Sequence, residues 1–252
     1  MKFLTKCYAC CIGVQDFDLS RPYFVYFACK LENYHYFPAM TINADRKYCY
    51  RICNIRNLPH ILEAGLCTKN HPSASREFHP IGNPDIIGAR DTTRVRIDGY
   101  GNIGEYVPFY FTPRSIMLYN IITGYWAPVV PKLAREEILI IRSEIAVLTR
   151  NSRFFFTDGQ ANTAYSNHYN DLKDLDKVDW ESIQQSNFQK SDLDTDRPRR
   201  YQAEFLVHSH VPLESIESFL VYNENVEALV KGQLKSAGLN IAVRVAPICF
   251  FS

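Results

Sequence analysis

The sequence lacks charge of a dominant sign: 28 lysines and arginines stand against 27 aspartates and glutamates, a formal net charge of +1 over 252 residues. Without a global basic surface, any contact with nucleic acid has to be local. It also lacks an apolar run of about 20 residues, the length a membrane-spanning helix needs. Met1 to Val14 has the outline of a signal peptide, but Lys6 interrupts it and no small-residue cleavage site follows. This stretch predicts neither export nor a membrane span. The eight cysteines, at 7, 10, 11, 29, 49, 53, 67 and 249, show no even framework of a small secreted scaffold, and read as reduced thiols of a cytoplasmic protein. Cys7-x-x-Cys10 has no second CxxC and no paired His at ligand spacing, so no metal site is expected. Also missing are GxSxG, a Walker loop, HExxH and the zinc-deaminase pattern, which removes the commonest hydrolase and NTPase chemistries.

What is present is a globular composition, 46% hydrophobic and 22% charged. That balance argues against disorder and coiled coil, and the length suits one domain with a self-sufficient core. Residues 1 to 39 form a composition break, holding four of the eight cysteines and ten of the 34 aromatics. Tyr23 to Cys29 is a candidate strand within them. Regular punctuation starts near Met40. Residues 1–39 are therefore expected to be an extension, either translated from upstream of a natural start at Met40 or a genuine appendage, and 40–252 the domain.

From Tyr48 the elements become legible. Tyr48 to Ile55 alternates as a strand, and Asn57 is placed to cap a helix whose Leu58, Ile61 and Leu62 share a face and which stops at Gly65. Thr68 to Pro84 reads as a long loop, and long loops in compact domains are usually functional. Arg94–Asp98 and Tyr106–Phe111 read as a hairpin around Gly99–Gly104. Gly99-x-Gly101-x-x-Gly104 matches a dinucleotide fingerprint literally. No helix is expected after it and no acidic residue stands about 20 positions on, so it is read as a turn. Further strands are expected at Glu137–Ile141, Phe154–Phe156, Ala203–Val207, Ser215–Tyr222 and Ile241–Val245, with amphipathic helices at Asp171–Gln184 and Glu224–Ser236. Short strands with helices between them and no repeating βαβ rhythm predict an α+β fold with a largely antiparallel sheet.

Glu204 stands out, because an ionised carboxylate at the onset of the apolar strand Ala203–Val207 needs a partner or a function. On pattern alone a structural salt bridge is the simpler account, with Arg197, Arg199 and Arg200 just upstream.

A resemblance shifts that weighing. Tyr50-Arg-Ile-Cys-Asn54-Ile-Arg-Asn57-Leu-Pro-His-Ile-Leu-Glu-Ala-Gly65-Leu66, Ile86-Ile-Gly-Ala-Arg90, Tyr106-Val-Pro-Phe-Tyr110-Phe-Thr-Pro-Arg114-Ser-Ile-Met-Leu-Tyr119, Phe156-Thr-Asp-Gly159 and Gln202-Ala-Glu204-Phe-Leu-Val207 resemble, in that order, the DarT family. These are bacterial toxins that ADP-ribosylate bases of single-stranded DNA, using NAD. The resemblance implies the ADP-ribosyltransferase fold, a split and mostly antiparallel sheet holding NAD in a cleft. It implies catalytic roles for Glu204 and Arg90 and lays the loop from Thr68 to Arg90 over the NAD. It places substrate recognition in the segment before Glu204. Asn54, Asn57, Gly65, Tyr106, Tyr110 and Arg114 are candidate NAD contacts, and Arg197, Arg199 and Arg200 candidate DNA-phosphate contacts. Tyr106, Tyr110 and Tyr119 suit stacking on nicotinamide or adenine, although core packing is the plainer role for each. Asn54 stands where members commonly carry His; an Asn can still hydrogen-bond a ribose hydroxyl but cannot be charged, so NAD affinity and not reaction type is what the change bears on. The expected partners are NAD, single-stranded DNA and a DarG-type macrodomain antitoxin. The alternatives are a transferase acting on RNA or protein, an NAD glycohydrolase, or a non-catalytic nucleic-acid-binding module on the same fold.

Overall fold

The computed structural model describes residues 46–150 and 152–251, so the expectations for residues 1–39, including a strand at Tyr23–Cys29, lie outside the described residues. The chain folds as β1 (Tyr48–Asn54), a 3-10 turn (Ile55–Asn57), α1 (Leu58–Ala64), β2 (Leu66–Cys67), α2 (Pro84–Arg90), β3 (Tyr106–Tyr110), α3 (Ile116–Thr123), β4 (Ile138–Glu144), α4 (Ile145–Leu148), β5 (Phe154–Thr157), β6 (His168–Tyr169), α5 (Trp180–Gln184), α6 (Arg197–Tyr201), β7 (Glu204–His208), β8 (His210–Val211), β9 (Ser218–Val221), α7 (Glu224–Ser236) and β10 (Ala242–Val245). Eight strands make one sheet in the order β10-β9-β4-β1-β3-β7-β5-β6, and β2 pairs with β8 separately. Every pairing in the large sheet is antiparallel except β9 with β10, where α7 provides the crossover. The α+β expectation of a mostly antiparallel sheet holds.

The sheet divides between β1 and β3. β1 pairs with β4 along its whole length, yet it meets β3 only at Tyr50 opposite Tyr110. Pro108 sits on this split. Its carbonyl accepts a hydrogen bond from Arg51 Nη1 at 3.0 Å. The N–H and C=O of one strand residue point to the same edge, so the N–H that proline lacks is also one that β1 would have received. The β3–β7 pairing therefore runs unbroken from Tyr106 to Tyr110.

One large core joins Phe109, Phe111, Phe156, Phe205 and Phe219 to Leu58, Ile61 and Leu62 of α1 and Val226, Val230 and Leu234 of α7. A smaller one gathers Val95, Ile103, Tyr106, Phe155, Ala161 and Leu206.

Several local expectations change. Asn57 does not cap α1 through its side chain; Asn54 does the capping one turn earlier, its Oδ1 accepting from Arg56 N–H at 2.9 Å. The 94–111 hairpin shrinks to a single bridge, Arg94 with Asn102, because Glu105 folds back on the Asn102 N–H and starts a 3-10 turn before β3. Asp171–Gln184 is two short pieces, since Val178 is extended between them and Asp171 and Asp179 each cap their own. Four helices went unforeseen, the short α4 and α6 and the longer α2 and α3. Asn83 caps α2, with Pro84 at its first position, and Ser115 caps α3, which ends at Gly124 with φ +74.

Candidate active site

Glu204 opens β7 opposite Tyr110 of β3, with its carboxylate directed into a cleft that runs along the split. Its two oxygens are separately engaged. Oε2 receives Arg90 Nη2 at 2.9 Å, and Oε1 receives the Ala161 N–H at 3.0 Å. Its own N–H donates to Thr157 Oγ1, whose hydroxyl is in turn donated to the Gly159 carbonyl. The side chain is 3% exposed and that of Arg90 14%. Burial pulls down the affinity of Arg90 for its proton, but the facing carboxylate outweighs it and the net direction is upward.

A second guanidinium shares this wall. Arg51 lines the cleft on both sides of the split and hydrogen-bonds the Pro108 carbonyl; among the described residues no carboxylate pairs with it. Burial lowers its pKa, and the positive charge of Arg90 acts in the same direction. Tyr110, buried beside Glu204, has its pKa pushed well up, by burial first and then by the neighbouring carboxylate. Two half-buried arginines beside one glutamate leave an excess of positive charge, suited to a diphosphate.

The roof is the segment from Thr68 to Arg90. Phe78, His79, Pro80 and Ile81 lead into α2, whose last residue is Arg90. Asn57 ties this roof to the floor, its Nδ2 donating to the His79 carbonyl and its Oδ1 accepting the His79 N–H, both at 2.9 Å. Trp126, Gln160 and Gln202 complete the wall around Glu204.

The candidates from sequence thus divide. Glu204, Arg90, Asn57, Gly65, Tyr106 and Tyr110 all border the cleft. Gly65 does so because its φ of +71 closes α1 and because a Cβ there would stand 2.4 Å from the Val211 carbonyl oxygen. Tyr106 is tied up by a hydrogen bond to the Tyr100 carbonyl and by edge contact with Phe155. Asn54 lies off the cleft wall, at its cap. Arg114 also lies away, donating to the Ile248 carbonyl and stacking 4.3 Å from the Phe251 ring centroid. The three upstream arginines are engaged with aspartates: Arg197 with Asp194, Arg199 with Asp158 and Asp196, Arg200 with Asp179, Asp194 and Asp196.

Sequence reasoning did not single out Arg51, Gln160 or Ala161. For Arg51 the signal was available, a lone cation inside the alternating strand Tyr48–Asn54. For Ala161 there was none, since only its backbone acts.

A family model described as "ssDNA thymidine ADP-ribosyltransferase, DarT" matches residues 50–251. The chain belongs to the DarT family. A DNA ADP-ribosyl transferase of Escherichia coli O127:H6 is 33% identical over 213 residues, covering 84% of this chain and 97% of that protein. One from Thermus sp. (strain 2.9) is 34% identical over 178 residues, 70% of this chain and 82% of that one. Thermus sp. 2.9 DarT in complex with ADP-ribosylated single-stranded DNA superposes with a TM-score of 0.74 at 28% identity, covering 82% of this chain and 97% of that one. The same protein in complex with NAD+ gives 0.68 at 29% identity, covering 82% and 98%. The fold expected from the DarT resemblance is therefore the one observed, and the protein is an NAD-dependent ADP-ribosyltransferase of single-stranded DNA.

Proposed function

We propose that the base modified is thymine, that Glu204 is the catalytic carboxylate, and that Arg90 and Arg51 hold the anionic parts of NAD and position the reacting groups. The observation that carries this reading is the Glu204–Arg90 pair at the split, with the second guanidinium of Arg51 in the same wall. The thymine assignment is supported by the family description.

The chemistry asks for such a set. As the bond between nicotinamide and ribose breaks, its electron pair leaves with nicotinamide and positive charge develops on the ribose. A carboxylate fixed beside the ribose 2-prime hydroxyl favours that state over the ground state. Glu204 is pre-oriented for this by the Ala161 N–H on one oxygen and Arg90 on the other. In thymidine the one ring nitrogen not bonded to deoxyribose carries a proton. That proton leaves to the Glu204 carboxylate or to solvent water as the new bond to the ribose forms, and Arg90, adjacent to Glu204, is placed to steer the base. Gln160, Gln202 and Trp126 border the same space and suit contacts to a planar base.

An adduct on that nitrogen blocks pairing, which makes the activity toxic and calls for a hydrolase of the DarG macrodomain kind as partner. A cytoplasmic setting follows from DNA as substrate. The test is transfer by the Glu204→Gln variant, which keeps an acceptor for the Ala161 N–H and loses the charge. Loss of transfer with an unchanged fold supports the role, and wild-type transfer removes it.

A further inference from the structure

Arg197, Arg199 and Arg200 look equivalent in sequence, and the structure separates them. Arg197 pairs with Asp194 three residues before it, and Arg200 binds Asp179, Asp194 and Asp196, so both brace the stretch from Asp179 to Arg200 against itself. Arg199 shares in that bracing through Asp196, held by Nε at 2.8 Å and Nη2 at 2.7 Å, but its remaining nitrogen reaches elsewhere. Its Nη1 donates to Asp158 Oδ1 at 3.1 Å and to Ser166 Oγ at 3.0 Å, on the loop joining β5 to β6. Its backbone carbonyl accepts the Gln160 N–H at 3.0 Å. Gly159 lies so close beneath that a Cβ would stand 2.2 Å from Arg199 Nη1 and 3.0 Å from its carbonyl oxygen.

This loop delivers the hydrogen bond to Glu204. The residue after Gln160 is Ala161, fully buried, whose N–H meets Glu204 Oε1 and whose carbonyl meets His168 Nε2 at 3.2 Å. Ala161 is the loop's one buried apolar residue, Ala164 and Tyr165 being exposed, so the loop's place is set by hydrogen bonds more than by packing. Arg96 holds its far half through the Thr163 and Ser166 carbonyls, and Arg199 clasps the loop on either side of Ala161, at Asp158 and at Ser166.

We propose that Arg199 is a positioning residue for the transfer reaction: it fixes the Asp158–Asn167 loop so that the Ala161 N–H orients the Glu204 carboxylate. The proposal rests on the reading of Glu204 as the catalytic carboxylate. It assigns Arg199 to catalytic geometry instead of DNA phosphate, and the two roles have different kinetic marks. A misplaced carboxylate costs turnover, on the order of 100-fold for a displacement of about 1 Å. A lost phosphate contact weakens DNA binding and makes its salt dependence shallower.

The experiment measures kcat, KM for NAD and for a thymidine-containing oligonucleotide, and the salt dependence of oligonucleotide binding, for Arg199→Ala, Arg199→Lys and Gly159→Ala. Expected is a fall in kcat of about 10- to 100-fold for Arg199→Ala with oligonucleotide affinity and salt slope unchanged. Partial recovery is expected in Arg199→Lys, and a similar kcat loss in Gly159→Ala, whose methyl displaces the guanidinium. If Arg199→Ala does not fold, Gly159→Ala carries the test alone. Wild-type kcat in these variants overturns the proposal, as does a loss confined to oligonucleotide KM with a shallower salt slope. Wild-type transfer by Glu204→Gln would instead remove the reading beneath it, so the two failures are distinguishable.

Discussion

Of the charged side chains that interrupt apolar strands, Glu204 in β7 and Arg51 in β1 face the cleft along the split. Each is costly to bury without a partner. Glu204 has Arg90 and the Ala161 N–H, so in the free protein it is both a structural ion-pair member and the candidate catalytic group. Structural and catalytic readings of this residue are therefore not exclusive, and Glu204→Ala removes the anion facing a largely buried Arg90. Breaking a buried pair costs on the order of 3 to 5 kcal/mol, with Glu204→Ala at the lower side because Arg90 borders the open cleft. Glu204→Gln should melt within about 2 kcal/mol of wild type and still lose transfer, measured as melting temperature and labelling on one preparation. Arg51→Gln should raise KM for NAD about tenfold, the equivalent of one charge-assisted hydrogen bond, with kcat less affected. An unchanged KM would detach Arg51 from NAD. Glu204 was legible in sequence because a carboxylate in Ala203–Val207 violates the pattern. Arg51 violates its own strand in the same way, but Arg90 carries no such mark, lying at the end of a short, exposed helix.

At the scale of elements, what failed to be legible follows one rule: short-range capping overrides periodicity. Leu172, Leu175 and Trp180 fit one helical face, yet Asp171 and Asp179 each cap a separate piece. Asn83-Pro84-Asp85 carried a start signal for α2 that the loop reading passed over, and Ser115 carried one for α3, where no element was expected. Asn57 shows the converse, a residue at a cap position recruited to clamp a distant loop. Asn57→Ala loses both bonds to His79, about 1 to 3 kcal/mol, and should raise KM for NAD by loosening the roof. A lowered melting temperature with KM unchanged would separate the roof from NAD binding. The acidic and basic stretch from Asp179 to Arg200 is ordered by ion pairs. Hydrogen bonds from Arg200, then Arg197, hold Asp194 down to about 2, and Arg199 lowers Asp196 in the same way. A depressed folded pKa contributes stability that is complete above the unfolded value of about 3.9 and is lost as pH falls through the folded one. Hydrogen-exchange protection across residues 189–201 should accordingly fade between about pH 4 and about pH 2, and sooner at high salt, because these pairs are partly exposed. Protection that persists at pH 2 would contradict that ordering.

For the whole molecule, hydrophobic alternation and turn chemistry were enough for the α+β class and for most strands, because the strands are short and buried in one sheet. They did not reveal that β1 and β3 diverge. That split depends on Pro108 and Arg51 meeting across two strands far apart in sequence, and on it the whole cleft depends. A near-neutral chain that acts on DNA must recognise it locally, at the rim of this cleft, and not by a general basic field. In the proposed reaction this cleft moves ADP-ribose from NAD to thymine in single-stranded DNA through Glu204. Mass analysis of single-stranded oligonucleotides that carry one thymidine or none, after incubation with NAD and either wild-type protein or Glu204→Gln, tests it most directly. One ADP-ribose is expected on the thymidine-containing strand with the wild-type protein and none in the other three combinations; labelling of the strand without thymidine, or equal labelling by Glu204→Gln, would rule that reaction out.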